Sequence, residues 1–283
     1  ILFPLSLMAG ETGDPRVYFE HSHRLFGWMV GVSTLTLAIY GLFAAPKLWL
    51  MAMPWVLGVL VVVQAIFGII RVGDNLAALG AVHGVTAQLV FAFAVAIAVM
   101  AHRSWRETLT GPRQWRGRST LGAVLLGAFV LQLAMGALFR HLRRGDEGGA
   151  AHAMYSHAVF SFVVVVLCVA FGAIMVKGSR ETSIAGLKRI GYGLMHGVGL
   201  QFILGWAALA AILLADDRGN VPTADQLATA AVVPWWEAFV ATVHQANGAL
   251  LLCLATVGTV WAFRLAPRTA KAHVPTASSA APA

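Results

Sequence analysis

The chain has 283 residues, 59% of them hydrophobic and 11% charged, against about 25% charged in an ordinary soluble domain. This composition excludes water as the main solvent. The net charge of +8 does not point to nucleic acid, because the basic residues lie in short stretches between apolar runs rather than along one amphipathic face.

Crossing about 30 Å of hydrocarbon takes about 20 apolar residues, and runs of that length lie at about 20–43, 52–71, 79–101, 119–140, 152–176, 190–215 and 235–264. All seven are expected to be helices: lipid leaves open sheets unsatisfied, and the runs lack the alternation of a barrel strand. The fold class is thus an all-α polytopic membrane protein. Lys47, Arg103, Arg106, Arg113, Arg116, Arg118, Lys177, Arg180, Lys188, Arg189, Arg264, Arg268 and Lys271 fall between alternate helices, opposed only by Glu107 and Glu181. Basic loops stay cytoplasmic, so the amino terminus is expected outside and the carboxyl terminus inside. The sequence starts at Ile1 with no recognisable signal peptide, and a truncated chain is expected. The Ala/Pro/Ser-rich end reads as a disordered tail. Cys168 and Cys253 lie far apart in apolar runs, as packing residues do.

A repeat runs through the helices. Gln64-Ala-Ile-Phe-Gly68 in the second resembles Gln201-Phe-Ile-Leu-Gly205 in the sixth, and Gln132-Leu-Ala-Met-Gly136 in the fourth keeps the spacing. The first three helices then correspond to the last three, and a helix ahead of Ile1 is expected, making two pseudo-symmetric four-helix bundles with the first helix of the N-terminal half missing.

Of ten histidines, His23, His83, His157 and His244 each sit near the start of a helix that enters from outside, at similar depth. An imidazole in the apolar zone needs a partner and usually has a function. Two facing imidazoles can supply both axial ligands of a haem iron. Four positions on, and on the same face, stand the small residues Gly27, Ala87, Ser161 and Gly248, which would leave room for a flat macrocycle. His196 lies at the wrong depth, His102 and His273 belong to the inner loop and tail, and His21, His141 and His152 are expected at the outer surface.

Glu20, His23 and Arg24 share a helix face. A helix-start acid paired with Arg24 accounts for them structurally; beside a haem ligand, Glu20 could instead act as a general base or stabilise developing positive charge. The corresponding position before His157 is Met154, so the two halves differ in chemistry.

Taken with Val82-His83-Gly84, Gln132-x-x-x-Gly136, Arg140-His141, His157 and Val243-His244-Gln245, the Glu20-x-x-His23-Arg24 motif resembles the haem A synthases, which convert haem O to haem A, over nearly the whole sequence. Ile1-Leu-Phe-Pro resembles that family's first outer loop. The resemblance implies an outer segment at 1–19, an N-terminal half-bundle at 20–101 with the substrate haem O at His23 and His83, a basic linker at 102–118, a C-terminal half-bundle at 119–265 with haem b at His157 and His244, and a tail at 266–283. It implies that Glu20 takes part in oxidising a ring methyl to formyl through hydroxylated intermediates, with water as oxygen source. Arg24 and Arg140 become candidates for haem propionates. Implied partners are membrane lipid, a haem O synthase, an electron acceptor and a homo-oligomer, in the plasma (inner) membrane of a bacterium. Some members carry a cysteine pair in the first outer loop, and the part present here has none. Two other readings stay open: a di-haem b-type electron carrier, which leaves Glu20 without a task, and a transporter or assembly factor with structural histidines.

Overall fold

Backbone N–H and C=O groups in apolar runs of this length are satisfied locally only by the helical ladder, and the computed structural model follows that rule. It describes residues 15–74, 77–108, 114–142, 147–215 and 234–267. Among these residues every regular element is a helix: α1 (Pro15–Ala44), α2 (Leu48–Asp74), α3 (Ala77–Ala101), the short α4 (Arg103–Glu107), α5 (Trp115–Leu142), α6 (Glu147–Thr182), α7 (Ala185–Ala215) and α8 (Trp235–Leu265). All but α4 are long and apolar enough to cross a bilayer, with spans of 23 to 35 residues. The protein is an all-α multi-pass membrane protein. Most of the expected opening segment, residues 216–233 and nearly all of the expected tail lie outside the described residues, as does the helix expected ahead of Ile1.

Helices α5 to α8 form a closed ring, each packed on the next and α8 back on α5. Their shared interior holds Trp115, Leu125, Phe129, Cys168, Phe171, Met175, Leu194 and Leu251, so Cys168 is the packing residue expected of it. The amino-terminal helices make an open row instead: α1 packs on α2, α2 on α3, and α3 docks against α5 and α8. Large side chains of α1 such as Phe26, Trp28 and Phe43 are correspondingly exposed, as lipid-facing residues are.

Two expected connections shrink. Within the basic linker at 102–118, residues 103–107 are helical and Trp115 to Arg118 already form the first turn of α5. Between α6 and α7 only Ser183 and Ile184 remain, Ser183 taking a left-handed φ of 59°. Lys177, Arg180, Lys188 and Arg189, expected in a loop, belong to the helices; long basic side chains can stay helical there because they carry their charge outward to water. Arg118 closes this end by bonding Glu181 at 2.6 and 3.1 Å, with its guanidinium 4.7 Å from the Trp115 ring centre.

Where α6 meets α7, glycine is required by close approach: a Cβ on Gly172 would lie 2.8 Å from the Gly191 carbonyl oxygen, and one on Gly191 would collide with the Gly172 carbonyl. Such backbone-to-backbone packing drives association where lipid removes the hydrophobic incentive. Gly191→Val is expected to destabilise the protein by about 2 kcal/mol or more, since no flexible side chain can yield. Gly186→Ala, where a Cβ meets nothing within 4 Å, is the control expected to leave thermal unfolding in detergent unchanged or slightly raised.

Candidate functional site: two crossed histidine pairs

An imidazole inside an apolar bundle must find hydrogen-bond partners on neighbouring helices, and three histidines each meet a glutamine of the preceding long helix. Gln64 on α2 donates from Nε2 to the His83 backbone carbonyl at 2.6 Å, with the ring Nδ1 at 3.2 Å. Gln132 on α5 donates to the His157 carbonyl at 3.0 Å. Gln201 on α7 brings its Nε2 within 3.2 Å of both ring nitrogens of His244. Each glutamine is followed four residues later, on the same face, by a glycine over which the ring lies. A Cβ on Gly68, Gly136 or Gly205 would sit 3.3, 2.9 or 3.2 Å from the Cε1 of His83, His157 or His244. The repeated Gln-x-x-x-Gly is thus a slot for the histidine of the next long helix.

Two slots carry a further brace. Thr86 Oγ1 donates to Gln64 Oε1 at 2.8 Å, and Asn247 Nδ2 donates to Gln201 Oε1 at 2.8 Å. Both braces stand three residues after their histidine. Position 160, three after His157, is a phenylalanine, and Gln132 Oε1 is buried without a hydrogen-bond partner among the described residues. His157 is oriented through its ring instead: Nδ1 lies 3.0 Å from the Gln132 backbone carbonyl. A carbonyl can only accept, so Nδ1 carries the proton and Nε2 keeps its lone pair. This is how a histidine metal ligand is prepared.

The four histidines meet in two pairs. His23 on α1 and His83 on α3 have ring centres 6.5 Å apart and planes crossed at 76°. His157 and His244, on opposite helices α6 and α8 of the closed ring, are 6.4 Å apart and crossed at 71°. Two metal–imidazole bonds of about 2 Å, with about 1.1 Å from each nitrogen to its ring centre, would separate axial rings by about 6 Å. The ring-centre separations of both pairs are close to that value. No group of three or more His, Cys, Asp or Glu able to hold a metal occurs among the described residues, but a porphyrin brings four ligands and asks two of the protein.

The pairs differ in their surroundings. His23 is exposed, whereas His83, His157 and His244 are half-buried. Glu20 and Arg24 form the expected ion pair with side chains 53% and 48% exposed. Such a pair contributes only about 0.3–0.5 kcal/mol, so either partner is easily redirected. Arg140, at the end of α5, donates to Gln245 Oε1 at 3.1 Å, which puts its guanidinium beside the residue after His244.

Several positions were hidden in the sequence. His141 was expected at the surface but is half-buried, its ring packed so closely that a Cβ on Gly80 would lie 2.6 Å from Cε1. His21, also expected outside, is buried, while His152 is exposed as expected. Glu237, 7% exposed in the first turn of α8, is a carboxylate in the C-terminal half; its signal was the preference of helix starts for acids. The room left by small residues after the histidines is only partly available to a ligand. A Cβ on Gly27 meets nothing within 4 Å, but one on Gly248 would meet the Gln201 amide at 3.2 Å.

Fold and site together define a class: a multi-pass helical membrane protein with two crossed histidine pairs. No family model, no curated protein and no solved structure matches the chain. Gln132→Leu is expected to cost about 1 kcal/mol, the scale of an interhelical hydrogen bond in a membrane protein. Gly136→Val should cost more, and Gly27→Val should be nearly neutral, all read by thermal unfolding in detergent.

Proposed function

We propose that this protein is a haem A synthase, which oxidises a ring methyl of haem O to a formyl group. The observation that carries the reading is the pair of crossed imidazole couples at 6.5 and 6.4 Å, one of which has a carboxylate one helical turn away. His23 and His83 hold the substrate haem O, and His157 and His244 hold a resident haem b. The uneven burial supports this division, because an exposed His23 suits a group that arrives and leaves, while two half-buried rings in glutamine–glycine slots suit one that stays.

With water as the oxygen source, a ring methyl and one water yield the formyl group, four protons and four electrons. The electrons leave to an external acceptor, and haem b supplies one-electron transfer when bound. Glu20 serves as the proton acceptor, a role that needs an ionised carboxylate near the reacting carbon, and its weak pairing with Arg24 leaves it available. Arg24 and Arg140 are suited to propionates by their forked, permanently charged guanidinium groups. The reading also includes a bacterial inner-membrane location, with the histidine end outside and the basic end, carrying the carboxyl terminus, in the cytoplasm. A haem O synthase and a second copy of the chain complete the proposed partners.

The close likeness of the two pairs favours a second reading, a di-haem b-type electron carrier, in which both pairs hold permanent haems and Glu20 has no chemical task. Co-expression with a haem O source, followed by pigment extraction and mass analysis, separates the two. Wild type is expected to accumulate haem A, and Glu20→Ala to retain haem O with conversion reduced about a hundredfold or more. His157→Ala should lose haem b. Two non-exchanging haem b groups per chain with no haem A formed in either wild type or Glu20→Ala would establish the carrier and remove the synthase.

A further inference from the structure

At the end of the bundle opposite the histidines, the turn between α1 and α2, the short α4 and the end of α8 line a partly open cavity of about 430 Å³. Its walls are of two kinds. Trp49, Trp105 and Phe263 provide aromatic faces, and Lys47, Arg106 and Arg264 provide positive charge. The wall is built rather than incidental. Arg264 donates from Nε to the Trp105 carbonyl at 2.8 Å and from Nη2 to the Arg106 carbonyl at 3.0 Å, and lies 5.3 Å from the Trp105 ring centre. Trp105 Nε1 donates to the Val260 carbonyl at 3.3 Å, and its ring meets Trp49 edge-on at 6.3 Å.

Among the described residues no carboxylate bonds the Lys47, Arg106 or Arg264 side chains. Glu107 is bonded to Arg103 at 2.7 Å, and Glu181 to Arg118 and Gln114. Lys47 and Arg106 have no carboxylate partner among the described residues. Tryptophans mark the headgroup level of a bilayer, and basic pockets between helix ends at that level recognise anionic lipid headgroups. The volume falls within the range of small-ligand sites, about 300–1,000 Å³, and suits a glycerophosphate headgroup.

We propose that this cavity is a binding site for one anionic glycerophospholipid. Its phosphodiester is held by Lys47 and Arg106 with the guanidinium of Arg264, and its glycerol lies against Trp49 and Trp105. The bound lipid would join the amino-terminal row, the linker and the last helix at one point. The inference needs only the multi-pass fold and is independent of the haem reading.

The test is native mass spectrometry of the full chain in detergent with dioleoylphosphatidylglycerol, against its zwitterionic twin dioleoylphosphatidylcholine. One phosphatidylglycerol per chain is expected to bind in preference to phosphatidylcholine. Affinity should fall about fivefold for each cation removed and about 25-fold for Lys47→Ala with Arg106→Ala. Lys47→Arg should retain binding, and Lys188→Ala with Arg189→Ala, an equal loss of charge at the same end but outside the cavity, should leave it unchanged. Equal binding of the two lipids, or equal losses in the two double variants, would overturn the site. Full displacement by millimolar inorganic phosphate would overturn the lipid assignment in favour of a free anion.

Discussion

The structure depends on one constraint: an imidazole among apolar helices must have its nitrogens and its volume accommodated by a neighbour. The solution is a glutamine and a glycine one helical turn apart. The glutamine supplies hydrogen bonds to the histidine's ring or backbone, and the missing Cβ of the glycine supplies the space. Because the two sit on one face, the slot sets both the depth and the rotation of the helix that brings the histidine. In lipid, where apolar contact between helices gains little over contact with acyl chains, such polar and steric features carry much of the register. The three slots therefore organise the packing of α2 with α3, α5 with α6 and α7 with α8.

Satisfying a histidine also decides what it can do. His157 spends Nδ1 on the Gln132 carbonyl, leaving Nε2 as the one basic site, and it meets His244 across the bundle. His244 in turn has both ring nitrogens within 3.2 Å of the Gln201 amide nitrogen. Under the proposed function, iron in a porphyrin would ask two ligands of the protein, one from each ring. Hence helix packing and proposed chemistry rest on the same atoms.

Much of this was legible in the residues. Long apolar runs dictate helices, and the helix order then brings His23 to His83 and His157 to His244. The Gln-x-x-x-Gly spacing was visible as a repeat, but its use was not, because a repeat does not say which way each helix is turned. The same gap explains Gly248, whose space is taken by the Gln201 amide rather than left for a ligand. It explains His141, whose position at a helix end suggested solvent although that end packs over Gly80. The linker differs for another reason: charge suggests a loop, whereas the Trp105 bond to the Val260 carbonyl and the Arg264 hydrogen bonds hold α4 against the bundle.

Two pairs of nearly equal geometry need not bind with equal persistence. Release of a ligand held from both sides begins with the less anchored ring, so the pair is only as retentive as its more mobile member. In the closed ring both members are anchored, His157 by Gln132 and His244 by Gln201. In the open row His83 is anchored by Gln64, while His23 is exposed and, its ring contact with His83 aside, has no hydrogen-bond partner among the described residues. An enzyme whose substrate and cofactor are both haems must solve this problem, since identical sites would either trap the product or lose the cofactor. Under the proposed function the asymmetry in anchoring falls on the substrate pair, with the less anchored ring one helical turn from Glu20.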